Sequence, residues 1–322
     1  MAMGGAVTEG VLDGGDAVSR SAEELPNQPP ELQQEQERGA LRRLVAVASV
    51  GSTNAELQAR YARAPGEWPH LSALIAGSQT AGRGRLGRTW ETPPGQAMTA
   101  SLVLQPQVSR ESLGWITILT GLAVSRAIAA LPAADPGRPR PSIATKWPND
   151  VLVGGAPYLE GWGEGRKVAG ILTELLPVSA TPPTARTNAA TPTAVIVGIG
   201  INLTQGPEHL PVPSATSLRE AGIEPLEPRA MLLAVAAELA PILHAWEASG
   251  GGAPPAELRE AVRQRSGTLG RDVRVDLPGG RQLTGQARDL DEAGHLLVLD
   301  TRGEEHVVLA GDVQHVRAAS AG

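Results

Sequence analysis

The feature that most constrains the fold of this 322-residue chain is the segment from Glu111 to Leu131. It is nearly continuous in Leu, Ile, Ala and Val, which predicts one long helix. A helix that is apolar over most of its surface must be buried inside a protein core. The chain has no phenylalanine and two tyrosines, so that core must be built from Ala, Val, Leu and Ile.

Strand patterns lie on both sides of this helix. Apolar runs predict strands over Leu71–Gln79, Ala97–Gln105, Lys167–Leu176 and Ala194–Thr204, and a shorter strand begins at Leu41. Ser142–Gly155 is typical of a strand, a Pro-Asn turn and a second strand, and Gly154–Gly165 predicts an elongated loop. Helices are predicted over four further segments: about Asn54–Ala64, Thr216–Gly222, Pro228–Ser249 and Pro255–Arg265.

The chain divides into three predicted regions. Residues 1–40 are rich in Gly, Glu, Gln and Pro without apolar periodicity, which predicts a disordered acidic tail. Residues 41–265 form the main domain, and its Pro/Thr/Ala-rich segment Pro177–Thr193 predicts a flexible surface connection. Residues 266–322 contain five short strands joined by tight turns, which predicts a small β-barrel of the SH3 type.

Charge and composition narrow the functional classes. Residues 1–40 contain eight acidic residues and two arginines, which accounts for the whole net charge of −6. The balanced remainder gives no electrostatic reason to expect a nucleic-acid partner. Without cysteine, disulfides and cysteine-based catalysis or metal binding are excluded. The sequence shows no signal-peptide layout and no uncharged apolar run of roughly 20 residues, so we expect a cytoplasmic protein without membrane association.

The two lysines, Lys146 and Lys167, stand against 26 arginines. A bias toward arginine explains the general pattern, since either residue supplies a positive charge at most positions. The two side chains differ where a compact point charge or close approach to a ligand is needed. Both lysines lie within motifs, so we expect functional positions for them.

The segment Gly82–Gly87 has the glycine spacing of a dinucleotide-binding turn and of a kinase phosphate loop. A dinucleotide fold requires a helix within the motif, whereas two prolines and a glycine follow it here. A kinase loop requires a lysine on the next strand, and Ala97–Gln105 contains none. There remains a loop of arginines between glycines, which suits an enclosed polyanionic ligand or, alternatively, a solvated turn.

Five blocks together resemble the bacterial biotin protein ligase family: GSTNAEL, QTAGRGRLGRTW, KWPNDVLV, KVAGILTE and VGIGINLT. The resemblance runs from about Val45 to Arg317, and it implies an α+β fold. That fold has a mixed, mainly antiparallel sheet with flanking helices, as in class II synthetases, followed by the SH3-like domain. Residues 1–40 cannot form the DNA-binding winged helix of regulatory members, so the monofunctional type is expected. The loop Gly154–Gly165 is longer than is usual in the family.

The resemblance implies a two-step reaction. Biotin and Mg-ATP give biotinyl-5′-adenylate and pyrophosphate, and biotin then passes to one lysine of a biotin carboxyl carrier domain of an acyl-CoA carboxylase. Homodimers through a sheet edge are also implied. Two alternatives stay open: a lipoate or octanoate ligase of the same fold, and a non-catalytic biotin sensor.

The resemblance also implies the residue roles. The expected catalytic residues are Lys167, Arg85 and Asp150. The expected biotin-binding residues are Ser52, Thr53, Asn54, Gln79, Arg83, Gly84, Arg85, Lys167, Gly170 and Ile171. The expected ATP and adenylate contacts are Gly82, Arg85, Arg88, Trp90, Lys146, Asn149, Lys167, Gly198, Gly200 and Asn202. Asp150 and Asn202 are the expected magnesium contacts, through water.

Three of these assignments have alternatives. Ser52, Thr53 and Asn54 are the right residue types for a cyclic urea, but they also suit the cap of the following helix. Lys146 meets a phosphate or pairs with Asp150. Trp90 covers the adenine or buries the exit of the loop. The six scattered histidines show no metal or triad spacing and are expected to be structural.

Overall fold

The structure is a computed structural model that describes residues 39–90, 93–176, 194–277, 279–309 and 311–315. The predicted acidic tail up to residue 38 and the predicted flexible connection over 177–193 lie outside the described residues.

The main domain is built on a mixed seven-stranded sheet. Its spatial order is β1-β2-β3-β7-β6-β5-β4, in which β1 and β2 are parallel and every other pair is antiparallel. The predicted mixed, mainly antiparallel sheet is therefore confirmed. The strands are β1 (Arg43–Val47), β2 (Ser72–Ala76), β3 (Ala97–Leu104), β4 (Ile143–Lys146), β5 (Asp150–Val153), β6 (Arg166–Leu175) and β7 (Val195–Asn202).

Helices cover both faces of this sheet. They are α1 (Thr53–Arg63), α2 (Trp115–Ala130), α3 (Pro228–Ala248) and α4 (Ala256–Arg265). Helix α1 packs against β2, β3 and β7, whereas α2 packs against β4 to β6 and against α3. As its composition predicts, α2 is buried along nearly its whole length. A short 3₁₀ turn over Arg110–Gly114 precedes it.

Both α2 and α3 pass a length-and-hydropathy test for a membrane span, over Arg110–Ala130 and Pro228–Ala248. The two helices pack against each other and supply much of the main hydrophobic core. A buried core helix and a membrane helix can have the same apolar composition. Packing in the core therefore explains the composition of α2 and α3.

The predicted C-terminal strands form one antiparallel sheet in the order β11-β10-β9-β8-β12. No pairing between β11 and β12 closes this sheet into a barrel within the described residues. The strands are β8 (Asp272–Asp276), β9 (Gln282–Leu290), β10 (Leu296–Asp300), β11 (Glu305–Val308) and β12 (Asp312–His315).

The two sheets share one hydrophobic core, which includes Ile116, Val151, Val275 and Val298. Two buried indoles cross the boundary: Trp115 Nε1 donates to Glu292 O at 2.9 Å, and Trp147 Nε1 donates to Gly294 O at 3.1 Å. The C-terminal sheet is thereby held beside the β4–β5 hairpin, which contributes to the candidate site.

The helix predicted over Thr216–Gly222 is wrong. Ala221 N donates to Ser217 O, and Ile223 N donates to Leu218 O, so the chain makes a single turn. Gly222 then adopts a left-handed conformation with φ of 75°, which is the usual way in which glycine ends helical geometry. Pro225 follows shortly afterwards, and such a short segment cannot recover the cost of helix nucleation.

Candidate active site

One cavity of about 580 Å³ lies between β5, β6 and β7, the Arg/Gly loop and the end of the C-terminal sheet. It collects every predicted site residue except Gly82, although these residues are spread from residue 52 to residue 202 of the chain. Its volume lies within the usual range for small-molecule sites. The predicted site residues therefore lie together in one place in the molecule.

The Arg/Gly loop is a small hairpin rather than a helix-forming turn. Trp90 N donates to Gly82 O at 2.9 Å, and Gly84 N donates to Arg88 O at 2.7 Å. A Cβ atom at Gly82 would lie 2.2 Å from Trp90 O, so only glycine permits this close return of the chain. At the tip, Leu86 adopts φ of 56° and its side chain is 72% exposed. We call residues 80–90 the lid.

Each lid arginine has an acceptor on a different element. Arg85 Nη1 donates to Asn149 Oδ1 at 3.1 Å, and Arg83 Nη2 lies 3.7 Å from Glu174 Oε1. Arg88 forms an ion pair with Asp312 of the C-terminal sheet. The three guanidinium groups therefore fasten the lid over the cavity from the side of β5, of β6 and of β12.

Lys167 lines the cavity, and β6 bulges beside it. Asp150 pairs with Gly170, and Leu152 pairs with Lys167, so the register shifts between them. Lys167 Nζ lies 2.6 Å from Asp150 Oδ1 and 5.5 Å from the centroid of the Trp90 ring. A Cβ atom at Gly170 would come within 3.1 Å of this ammonium group, so the glycine makes room for it.

Lys146, the last residue of β4, also lines the cavity. Its side chain is 3% exposed, and its ammonium group lies over the ring of Trp162, 4.6 Å from the centroid. Of its two predicted roles, the pair with Asp150 is not formed, because that carboxylate pairs with Lys167. Burial lowers the pKa of Lys146, and the charge of Asp150 partly opposes that effect.

A hydrogen-bond network lies at the start of α1, in another part of the cavity wall. Gln79 Oε1 accepts from Thr53 N at 2.8 Å and from Thr53 Oγ1 at 3.1 Å. Asn54 Nδ2 donates to Leu172 O at 3.2 Å and to Glu174 Oε2 at 2.7 Å. Ser52 is the N-cap residue of α1, but it makes no side-chain capping bond. The side chains of Thr53 and Asn54 thus bond across the sheet and do not cap the helix.

Protein side chains occupy the space beside the β7 glycines, where other residues would carry a Cβ atom. A Cβ atom at Gly198 would lie 2.4 Å from Asn54 Oδ1, and one at Gly200 would lie 2.5 Å from the Trp90 ring. The Trp90 ring therefore lies flat on the sheet floor over Gly200 and Gly170. Its buried Nε1 has no hydrogen-bond acceptor among the described residues, so this conformation leaves a donor free for a ligand.

Comparison with known proteins places these features in a family. Residues 48–202 match the biotin/lipoate A/B protein ligase family, and residues 268–316 match the biotin protein ligase C-terminal domain. The chain is 39% identical over 277 residues to the biotin–[acetyl-CoA-carboxylase] ligase of Mycobacterium tuberculosis. That alignment covers 86% of this chain and 90% of the relative. The chain belongs to the biotin protein ligase family.

Solved structures agree with this assignment. The biotin protein ligase of Aquifex aeolicus, solved in complex with biotin and ATP, aligns with a TM-score of 0.60 and 27% identity. The match covers 86% of this chain and all of that chain. The bifunctional ligase/repressor of Escherichia coli is 28% identical over 251 residues, which cover 77% of this chain and 67% of the relative.

The two predicted magnesium contacts of the ligase differ in how well they fit. Asp150 is a buried carboxylate that lines the cavity, and its Oδ1 lies 2.6 Å from Lys167 Nζ. Such a carboxylate oxygen is a suitable acceptor for a metal-bound water. Asn202 is already engaged, because Nδ2 donates to Thr216 O and Oδ1 accepts from Gln205 Nε2, each at 3.0 Å. Asp150 fits the ion, whereas Asn202 shapes the wall beside it.

Several site residues of the ligase were missed at the sequence level. Ser101 is buried under the network at α1, where Oγ lies 2.6 Å from Asn54 Oδ1. Glu174 holds Asn54 and Arg83 together, Asp312 holds Arg88, and Trp162 covers Lys146. Ser101 left a signal as a polar residue in an apolar strand. Asp312 and Trp162 left none, because they approach the site only through tertiary contacts.

A second group of ligating residue types lies far from this cavity. Asp300, Glu304 and His306 cluster at the turn between β10 and β11. His306 and Arg302 already pair with Asp300, and Arg302 also reaches Glu304, so these contacts explain the cluster. This agrees with the structural role predicted for the histidines.

Proposed function

We propose that the protein is a biotin protein ligase that activates biotin with Mg-ATP and transfers it to a carrier lysine. In the first step a biotin carboxylate oxygen attacks the α-phosphorus of ATP, and pyrophosphate leaves. In the second step the amine of the carrier lysine attacks the acyl carbon of biotinyl-5′-adenylate, AMP leaves, and the amine loses a proton. The relatives named biotin–[acetyl-CoA-carboxylase] ligase support a carboxylase carrier domain as the acceptor.

One observation carries the proposal. A single cavity is lined by the amides and hydroxyls at the start of α1, by Lys146, by the Lys167–Asp150 pair and by the arginines of the lid. A cyclic urea offers one acceptor and two donors, which Ser52, Thr53 and Asn54 complement. These three residues line the same cavity as the Lys167–Asp150 pair.

Lys167 is the proposed catalytic residue. Its ammonium group is a compact charge that stabilises the negative charge developing on the α-phosphoryl oxygens during attack. Gly170 leaves it space, and Asp150 fixes its direction. Asp150 is the residue that would hold the water shell of Mg²⁺, and the ion would supply further neutralisation of phosphate charge.

The lid is proposed to retain the adenylate. Arg85 lies beside Asn149, and both line the cavity. In this proposal they contact the adenylate phosphate, Arg83 and Gly84 cover biotin, and Ile171 lines the biotin bicycle. Arg88 contacts the triphosphate, and the Trp90 ring covers the adenine after it leaves the floor formed by Gly200. Gly82, Gly198 and Asn202 shape the cavity around these groups.

The deciding experiment separates the steps. We expect biotin-dependent pyrophosphate release from Mg-ATP without any carrier, and mass spectrometry of an added carrier domain should show one biotinyl group. Lipoate and octanoate serve as matched substrates, and their preferred use would establish the alternative ligase of the same fold. Biotin binding without pyrophosphate release would establish a sensor.

Location and assembly stay proposals. We expect a cytoplasmic enzyme of the single-function type, without nucleic-acid or membrane partners. A homodimer through an edge of the seven-stranded sheet, β1 or β4, is tested by light scattering with and without biotin and ATP.

A further inference from the structure

Lys146 poses an electrostatic problem. Its ammonium group is almost fully buried, and no carboxylate lies within ion-pair distance of it in the described part of the chain. Burial of a charge without an ion-pair partner is costly. Asp150 and Asp312 offset part of that cost from beyond ion-pair distance, whereas Lys167 and Arg88 add to it. A group in direct contact with the ammonium group would support the charge further before a ligand arrives.

The ring of Trp162 supplies this support. Its centroid lies 4.6 Å from Lys146 Nζ, within the range of a cation–π interaction. An aspartate in this place would neutralise the ammonium group and occupy its N–H donors. A ring face instead stabilises the positive charge and leaves the donors available to phosphate oxygens.

The loop that carries Trp162 is anchored on three sides. Its own turn is closed by Leu159 N, which donates to Gly163 O at 2.7 Å. Arg166 Nη1 donates to Gly165 O at 2.9 Å. At the tip, Gly161 O accepts from His315 N at 3.0 Å, so the loop joins the last strand of the C-terminal sheet. The indole is thus held in place by both sheets.

We infer that Trp162 is a positioning residue for the adenylation step: its ring holds the Lys146 ammonium group at the triphosphate end of the cavity. The extended loop over residues 154–165, which joins β5 to β6 and contacts the C-terminal sheet at Gly161, brings this ring into the site. The inference rests on the proposed nucleotide site, since Lys146 must meet a phosphate for its position to matter.

The test is steady-state pyrophosphate release by the full-length enzyme with Mg-ATP and biotin. We expect Trp162→Met to raise KM for Mg-ATP about tenfold, which corresponds to a desolvated cation–π interaction, with kcat and KM for biotin within about twofold. Trp162→Phe retains a ring and should show a smaller rise. Glu160→Gln alters an exposed residue of the same loop and should have no effect.

A double-variant cycle separates positioning from a general structural role. In a Lys146→Met background, Trp162→Met should change KM for Mg-ATP by less than about twofold. An equal tenfold effect in that background, or an unchanged KM in Trp162→Met alone, overturns the inference. If Lys146→Met itself leaves KM unchanged, the proposed nucleotide site is wrong instead. Should Trp162→Met not fold, the same cycle with Trp162→Phe decides.

Discussion

At the scale of single residues, three glycines shape the site because they carry no side chain. Gly170 leaves space for the Lys167 ammonium group, Gly198 for the Asn54 amide and Gly200 for the Trp90 ring. The sequence identified these glycines within their motifs and predicted Gly170 as a biotin contact and Gly198 and Gly200 as adenylate contacts. The structure shows that protein groups fill the space, because each missing Cβ lets a functional side chain lie directly on the sheet.

We predict that Gly198→Ala raises Kd for biotin by about tenfold or more. The new Cβ atom would lie 2.4 Å from Asn54 Oδ1 and would force that amide out of the network with Ser101 and Glu174. Biotin titration by calorimetry measures the effect. The control is Gly51→Ala, which lies beside the same network but has nothing within 4 Å of its added Cβ. Equal affinities in the two variants would contradict this account.

We predict that Lys167→Arg lowers the rate of adenylate formation by about 10² or more. The charge is kept, but the larger planar guanidinium group cannot occupy the space that Gly170 leaves beside Trp90. Single-turnover formation of biotinyl-5′-adenylate measures this step directly. A near-normal rate would remove Lys167 from the chemistry.

At the scale of elements, the lid is held by three arginines that contact three different elements. Its backbone is a hairpin with two cross-loop hydrogen bonds, and its tip residue, Leu86, is exposed. Few buried apolar contacts support such a segment, which is typical of elements that open and close. The sequence identified the arginines and glycines, but the hairpin depends on the close return of Trp90 past Gly82.

We predict that biotin together with Mg-ATP slows amide hydrogen exchange in residues 80–90. Ligand contacts to the lid arginines add to the bonds with Asn149 and Glu174, so opening becomes less frequent. Arg85→Ala should show less protection and should release adenylate that labels free amines. Unchanged protection in the wild-type protein on ligand addition would rule out ordering of the lid.

At the scale of the whole molecule, the two sheets share one hydrophobic core. The core runs from α2 through β5 into the C-terminal sheet, and Trp115 and Trp147 donate across the boundary. His315 at the end of β12 is buried beside the 154–165 loop. Burial, with smaller effects of Lys146 and Arg271, lowers the pKa of His315 to about 4.

We predict that His315 makes the folded protein less stable in acid. Its pKa is about 6.5 when unfolded and about 4 when folded, so the unfolded chain binds more protons between these values. Stability is therefore lost as pH falls through this interval, on the order of 2 kcal/mol from this residue. Urea unfolding at pH 7 and 4.5 measures the loss, and His315→Gln should lose less. Equal losses would assign the acid sensitivity to other groups.

The sequence by itself determined the family, and with it the class of reaction, and it predicted residues that line one cavity. Five motifs, two lysines and the composition of α2 named the family, the main helix and the residues that line one cavity, because these features are local in the chain. The tertiary structure decided which groups touch. In it, Asp150 pairs with Lys167 rather than with Lys146, and Asn202 donates to Thr216 O. The segment predicted as a helix from Thr216 is a single turn. The tertiary structure also brought Trp162 and Asp312 to the site. Such contacts join residues far apart in the chain, and no local periodicity or spacing encodes them.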